Sequence, residues 1–471
     1  MDYQSSGLSR EEIRKKRRQK EQLQAIGIFA AVILVIVLVI GGIGISLVRI
    51  FSDKDETEDV QVDAVTSTEQ MVAEEPVVEE PEPEPIVEEV TEEVSEPETE
   101  ETPQEEDASQ SVIDEILGTE DQAAVEEMVS EKIASMTLEE KVAGLFFVTP
   151  AQLMGLQSDV TVIGSEFGDK ASTYPVGGLL FDESNMPSED EFTTFISNVK
   201  VYVNEDTFFG IENKGGEDAP FVAAGFTENV IASHQEIGES LGASGAYSAG
   251  ISIGSELRQY GIEVNFSPNL DVSLEDDSLA AKEGFGVDMA TTAEIGKNYV
   301  KGLSDQDINV AVGHFPSYGD VAHNGDGGQI VSNRTKEDLL NESSPYLEAI
   351  DAGADFLMIS HVGLPKIRGD QRPASLSKEV ITDIVRTEWG YDGIVITDFM
   401  NRSCMYQKYT YAEAAVGAIE AGADMILSPK NFQKSYNGIL DAVNDGTLSE
   451  ERIDESLRRI YRVKYAGSTT N

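Results

Sequence analysis

Cysteine occurs once in the 471 residues, at Cys404, which excludes an internal disulfide and leaves an exported domain to stand on its core alone. Bases are scarce: 34 Lys and Arg stand against 87 Asp and Glu, a formal charge of −53. With residues 1–119 removed, 57 acids still face 25 bases, so no nucleic-acid partner is expected. The sequence also lacks a metal-ligand cluster and a glycine-rich phosphate loop, so no cofactor is implied.

Residues 52–110 lack almost everything a core needs. They carry 24 acids, six prolines and the single base Lys54, which reads as an extended, self-repelling linker within 49–119. Before it lies one long apolar run, Ala25–Val48, 24 uncharged residues and roughly 36 Å as a helix. Basic residues from Arg14 to Lys20 precede that run. The positive-inside rule then predicts a single-pass membrane anchor, with residues 1–24 cytoplasmic and the rest of the chain extracellular. A cleaved signal peptide is the competing reading, but the run is longer than a usual signal core and has no small-x-small site.

From about residue 120 the pattern changes to short apolar runs separated by amphipathic stretches. Strands are expected at 145–149, 177–181, 221–224 ("FVAA"), 263–268, 308–315, 356–361, 393–398 and 425–429. Near-continuous apolar runs imply burial on both faces and a parallel sheet. Eight of them in about 350 residues suggest an α/β fold, a (β/α)8 TIM-type barrel over 120–471, with a doubly wound open sheet as the alternative. One phrase occurs twice, "AIDAGADFLMISH" (349–361) and "AIEAGADMILSP" (418–429), as two units of one barrel would leave it. Each reads as a helix end, a C-capping Gly and a strand.

Barrel chemistry sits at the carboxyl ends of the strands. Four residues are expected there: Asp271 after strand four, His314 opening the loop "HFPSYGDVAHNGD" (314–326), His361 ending strand six and Asp398 ending strand seven. Any one alone would pass as a capping or loop residue, but four on one rim point to a ligand site.

Three stretches then resemble one family. "MTLEEKVAGLFFV" is similar to "MTLEEKIGQLFMV", "YGIEVNFSPNLDV" to "LGINVNFAPVLDV", and "RPASLSKEVITDIVRTEWGYDGIVITDFM" to "PATLSKKVITGLLREELGFDGVVITDDLxM". These motifs belong to the glycoside hydrolase family 3 barrel, in its β-N-acetylglucosaminidase branch, and the resemblance covers roughly 130–468. It implies retaining removal of β-linked N-acetylglucosamine from wall fragments or chitooligosaccharides, with Asp398 as nucleophile; Asp271, His314 and His361, at the neighbouring strand ends, are then the expected substrate contacts.

Against the family's "KHFPGHGDTxxDSH", His314, Phe315, Pro316, Gly319 and Asp320 match. The Lys position holds Gly313, the "GH" pair is Ser317 and Tyr318, and "DSH" falls on Asn324, Gly325 and Asp326. The acid/base His is therefore missing from its place, and His323 is the candidate for a relocated one, flanked by Asp320 and Asp326. The family's "RSFGxDP" Arg is Glu283, a negative charge where a sugar hydroxyl would meet a positive one. The "DQEGGRV" signature is expected near "AAGFTENV", with Gly225 at its Asp. Two functions are thus expected to compete: a β-N-acetylhexosaminidase of doubtful competence, and a non-catalytic glycan- or protein-binding domain at the cell surface. A pure structural spacer fits less well, because polar residues remain on the rim.

Overall fold

The structure, a computed structural model, describes residues 122–274, 278, 280–321 and 330–466. The expected anchor at 25–48, the acidic linker, His323 and Asp326 lie outside them. Eight parallel strands run in sequence order: β1 Phe146–Val148, β2 Gly178–Phe181, β3 Phe208–Ile211, β4 Val264–Asn265, β5 Asn309–Phe315, β6 Phe356–Ile359, β7 Ile394–Thr397 and β8 Ile426–Leu427. Each pairs with the next, and β1 pairs with β8. A parallel bridge between Ile396 and Met425 joins β7 to β8, so the sheet is a nearly closed TIM-type barrel.

Seven strands fall on the expected runs. The third does not. "FVAA" lies in a short helix, Pro220–Ala223, where Pro220 starts the turn and the Val222 carbonyl accepts from Gly225. The true β3 is "FFGI", whose internal Gly210 weakens the strand pattern. That glycine is required. A Cβ on Gly210 would lie 2.7 Å from the Phe147 ring and 2.8 Å from that of Phe266, and one on Gly178 would lie 2.3 Å from Phe147. Phe147 and Phe266 meet edge to face at 5.0 Å and fill the barrel where β2 and β3 give way.

The repeated phrase has a common function at the amino end. Gly353 and Gly422 take left-handed φ values of 108° and 113° after their helices, as only glycine does readily. The following aspartates are buried, and each accepts from the strand before its own. Asp355 Oδ2 takes the Val310 N–H of β5 at 3.2 Å, and Asp424 Oδ2 takes the Val395 N–H of β7 at 2.9 Å. Asp424 is further ringed by Arg386, by Arg459 at 3.2 Å and by Arg452 at 3.8 Å. This end of the barrel is latched.

Candidate active site

At the opposite, carboxyl end the rim is built around Asp398, the residue directly after β7. Its backbone N–H donates to Ile359 O of β6 at 2.8 Å, which fixes where the side chain starts. The carboxylate is 0% exposed. Oδ2 accepts from Tyr318 Oη at 2.6 Å and pairs with Arg402 Nε at 3.1 Å; Oδ1 accepts from the Phe399 N–H at 2.6 Å and faces His314 Nε2 at 3.7 Å. Burial alone would raise this carboxyl. The Arg402 guanidinium, then His314, with the Tyr318 hydroxyl, outweigh burial and hold it well below the usual carboxylate range.

The strand-five histidine completes a line of three. His314 Nδ1 lies 3.1 Å from Asp271 Oδ2, which can only accept, so Nδ1 carries the proton. Asp271 Oδ1 also takes the His314 N–H at 3.1 Å, and the Tyr346 hydroxyl bonds both Asp271 Oδ1, at 3.2 Å, and His314 O, at 2.6 Å. Burial opposes a charged imidazole here, but Asp398 and Asp271 raise His314 above its ordinary value.

Asp271, His314 and Asp398 are therefore in contact. His361 joins them only through its backbone, whose N–H donates to Tyr318 Oη at 2.8 Å. Its ring is turned inward, with Nδ1 2.8 Å from Ser375 Oγ and Nε2 3.2 Å from Phe399 O, and the residue is 1% exposed. Burial lowers its pKa to about 4, so it is a neutral packing group. The expected His323 lies outside the described residues. On either side of 322–329, Arg334 pairs with Asp320 at 3.2 Å and with Glu342 at 2.6 Å, and donates to Ser317 O.

Arg402 was not anticipated. It stands four residues after Asp398 in "DFMNR", a spacing visible in the sequence but silent about direction. Its side chain is 41% exposed and lines a depression of about 720 Å³ together with Gln152, Asp182, Asn401 and Lys430.

The fold and this rim define a TIM-type barrel with an acidic site at the carboxyl ends of its strands. The chain belongs to glycosyl hydrolase family 3: the profile of that family's N-terminal domain matches residues 137–463. It is 25% identical over 342 residues to a β-hexosaminidase A of Pseudoalteromonas piscicida, an alignment covering 65% of this chain and 56% of that one. A β-hexosaminidase of Bordetella avium is 26% identical over 259 residues, 54% of this chain and 73% of the relative. Among solved structures, a family 3 β-N-acetylglucosaminidase from Paenibacillus sp. str. FPU-7 superposes with a TM-score of 0.63 at 29% identity, over 70% of this chain and 63% of that one. The chain thus spans about half the length of the first of these curated relatives.

Moving β3 to Phe208–Ile211 also moves a motif. The residues after it read "ENKGGED", Glu212–Asp218, and carry the paired glycines of "DQEGGRV". Glu212, not Gly225, takes the place of the signature's Asp, and Lys214 that of its Glu. Lys214 forms an ion pair with Glu283 and lies 3.4 Å from Glu212. Burial alone would raise Glu283, but Lys214 outweighs it and lowers the carboxyl, with His314 and Arg402 adding to the effect. The negative charge expected at 283 is therefore neutralised by a lysine from the neighbouring loop.

Proposed function

We propose that the chain is a membrane-anchored, cell-surface domain of β-N-acetylhexosaminidase type that binds N-acetylglucosamine-containing glycans at the Asp398 rim. The observation that carries this reading is the position and charge of Asp398: at the end of β7, buried and held ionised by Arg402 and His314. A retaining glycosidase needs such a carboxylate to attack the anomeric carbon, and a second group to protonate the leaving oxygen and later activate water. The named activities of the family relatives supply the sugar in this reading, and the apolar run 25–48 supplies the anchor.

The second group is where the site is weak. The motif's His position holds Asp326, and loss of a general acid typically costs about 10²–10⁴-fold. Natural disaccharides, with poor leaving groups, should be cleaved near background. An aryl N-acetylglucosaminide, whose leaving group needs little protonation, should turn over slowly and show a burst, because water activation is impaired as well.

One observation favours the second reading, a glycan-binding domain without catalysis. Asp398 Oδ2 is shared by Tyr318 and Arg402, and no part of the carboxylate is exposed. Hydrolysis of chitobiose and of an aryl N-acetylglucosaminide by the wild-type chain, Asp398→Asn and His323→Ala separates the cases. Aryl cleavage lost only in Asp398→Asn supports the impaired enzyme, and no cleavage with retained sugar binding supports the binding domain. Robust chitobiose cleavage lost in both variants would instead establish His323 as the relocated acid/base.

A further inference from the structure

The segment that follows Asp398 runs between two openings. On one side is the depression lined by Arg402 and Lys430. On the other is a cleft of about 580 Å³ whose walls carry Tyr406, Tyr409, Tyr411, Lys434, Asn437 and Asp441. Lys430, on the wall of the depression, touches Tyr406, on the wall of the cleft. Its ammonium lies 5.8 Å from the Tyr406 ring centre, and its backbone N–H donates to Tyr406 Oη at 3.3 Å. The aromatic wall is held in place: Tyr406 and Tyr411 pack edge to face at 4.8 Å, and Lys434 lies 5.5 Å over the Tyr411 ring.

The wall chemistry narrows the ligand. Tyrosine rings offer flat apolar area with a polar tip, which suits the C–H faces and rim hydroxyls of a pyranose. An amide, an ammonium and a carboxylate on the same wall would leave a purely apolar ligand facing unpaired polar groups. Asp441 and the net charge of −53 disfavour a polyanion. The volume falls within the range of about 300–1,000 Å³ usual for small-ligand sites.

We propose that this tyrosine cleft is a second glycan-contact site, holding an extended neutral glycan whose end enters the Arg402 depression beside the Asp398 rim. The proposal rests on the glycan reading above and makes the preferred ligand an oligosaccharide rather than a disaccharide. Calorimetric titration of the full-length chain with S-linked chitobiose and S-linked chitohexaose, which resist hydrolysis, tests it. The hexamer should bind at least about tenfold tighter than the dimer. That excess should disappear in Tyr409→Ala and, as a check on folding, in the surface variant Asn437→Ala, with chitobiose affinity unchanged in both. Equal affinity for the two lengths, or an excess that survives both variants, would overturn the cleft and leave the Asp398 reading standing. No binding of either length would remove the glycan reading and the cleft together.

Discussion

The surroundings of the three described histidines shift them in opposite directions. His314 faces two carboxylates and keeps its proton to higher pH when folded than when unfolded. Its stabilisation is complete below its ordinary value of about 6.5 and is lost as pH rises through its raised value. The stability difference between wild type and His314→Gln, measured by denaturant unfolding, should therefore shrink from pH 6 to pH 9; a flat difference would rule out the charged pair. Burial lowers His234 and His361 to about 4. Between about pH 6.5 and 4 the unfolded chain takes up protons that the folded chain refuses, so stability falls by on the order of 3 kcal/mol for each. His361→Gln should remove about half of that acid limb in denaturant unfolding followed from pH 7 to pH 4, and an unchanged limb would rule His361 out as a source of it. At this scale the sequence anticipated that Asp271, His314 and Asp398 share one rim, because each sits in a recognisable motif at a strand end. It was silent on Tyr318 as the donor to Asp398 and on the inward turn of His361, because both depend on side-chain direction.

Elements were legible where apolar residues dominated a run, as in "LFFVT" or "GIVITD". β3 was hidden because the packing of Phe147 imposes a glycine on it, and a glycine beside a polar stretch reads as a turn. The same contact predicts a mutational result. Gly210→Ala should destabilise the chain by about 1–3 kcal/mol through overpacking, and Phe147→Leu in the same chain should return part of that loss. If Gly210→Ala is neutral in thermal unfolding, Phe147 does not occupy the space beside β3. The Asp424 latch makes a larger claim. It pairs three arginines and a strand N–H, so Asp424→Ala leaves the mostly buried Arg386 without its carboxylate, while Arg452 and Arg459 keep only Glu455 and Asp392, and should cost about 3–5 kcal/mol. Thermal unfolding checks this, and a loss under about 1 kcal/mol would show that the arginines find other partners.

For the whole molecule, the barrel was visible in seven correctly placed runs and a misplaced eighth, since a strand buried on both faces needs an apolar segment and the helices between need only one apolar face. Topology across a membrane is a separate proposal resting on residues 14–48. Protease added to intact cells should cut within 52–110 and release a product of about 350 residues. Survival of the intact chain until lysis would sink the proposal. The reversed charge pair Lys214–Glu283 and the changed positions Gly313 and Tyr318 stand at the carboxyl end, whereas Asp355 and Asp424 tie the strands together at the amino end. A barrel closed from below has latitude above. Random mutagenesis scored for folding alone should find the loops after β3, β5 and β7 permissive and the two "AGAD" turns intolerant, so a lineage carrying this scaffold can abandon one chemistry and drift toward another without passing through an unfolded ancestor.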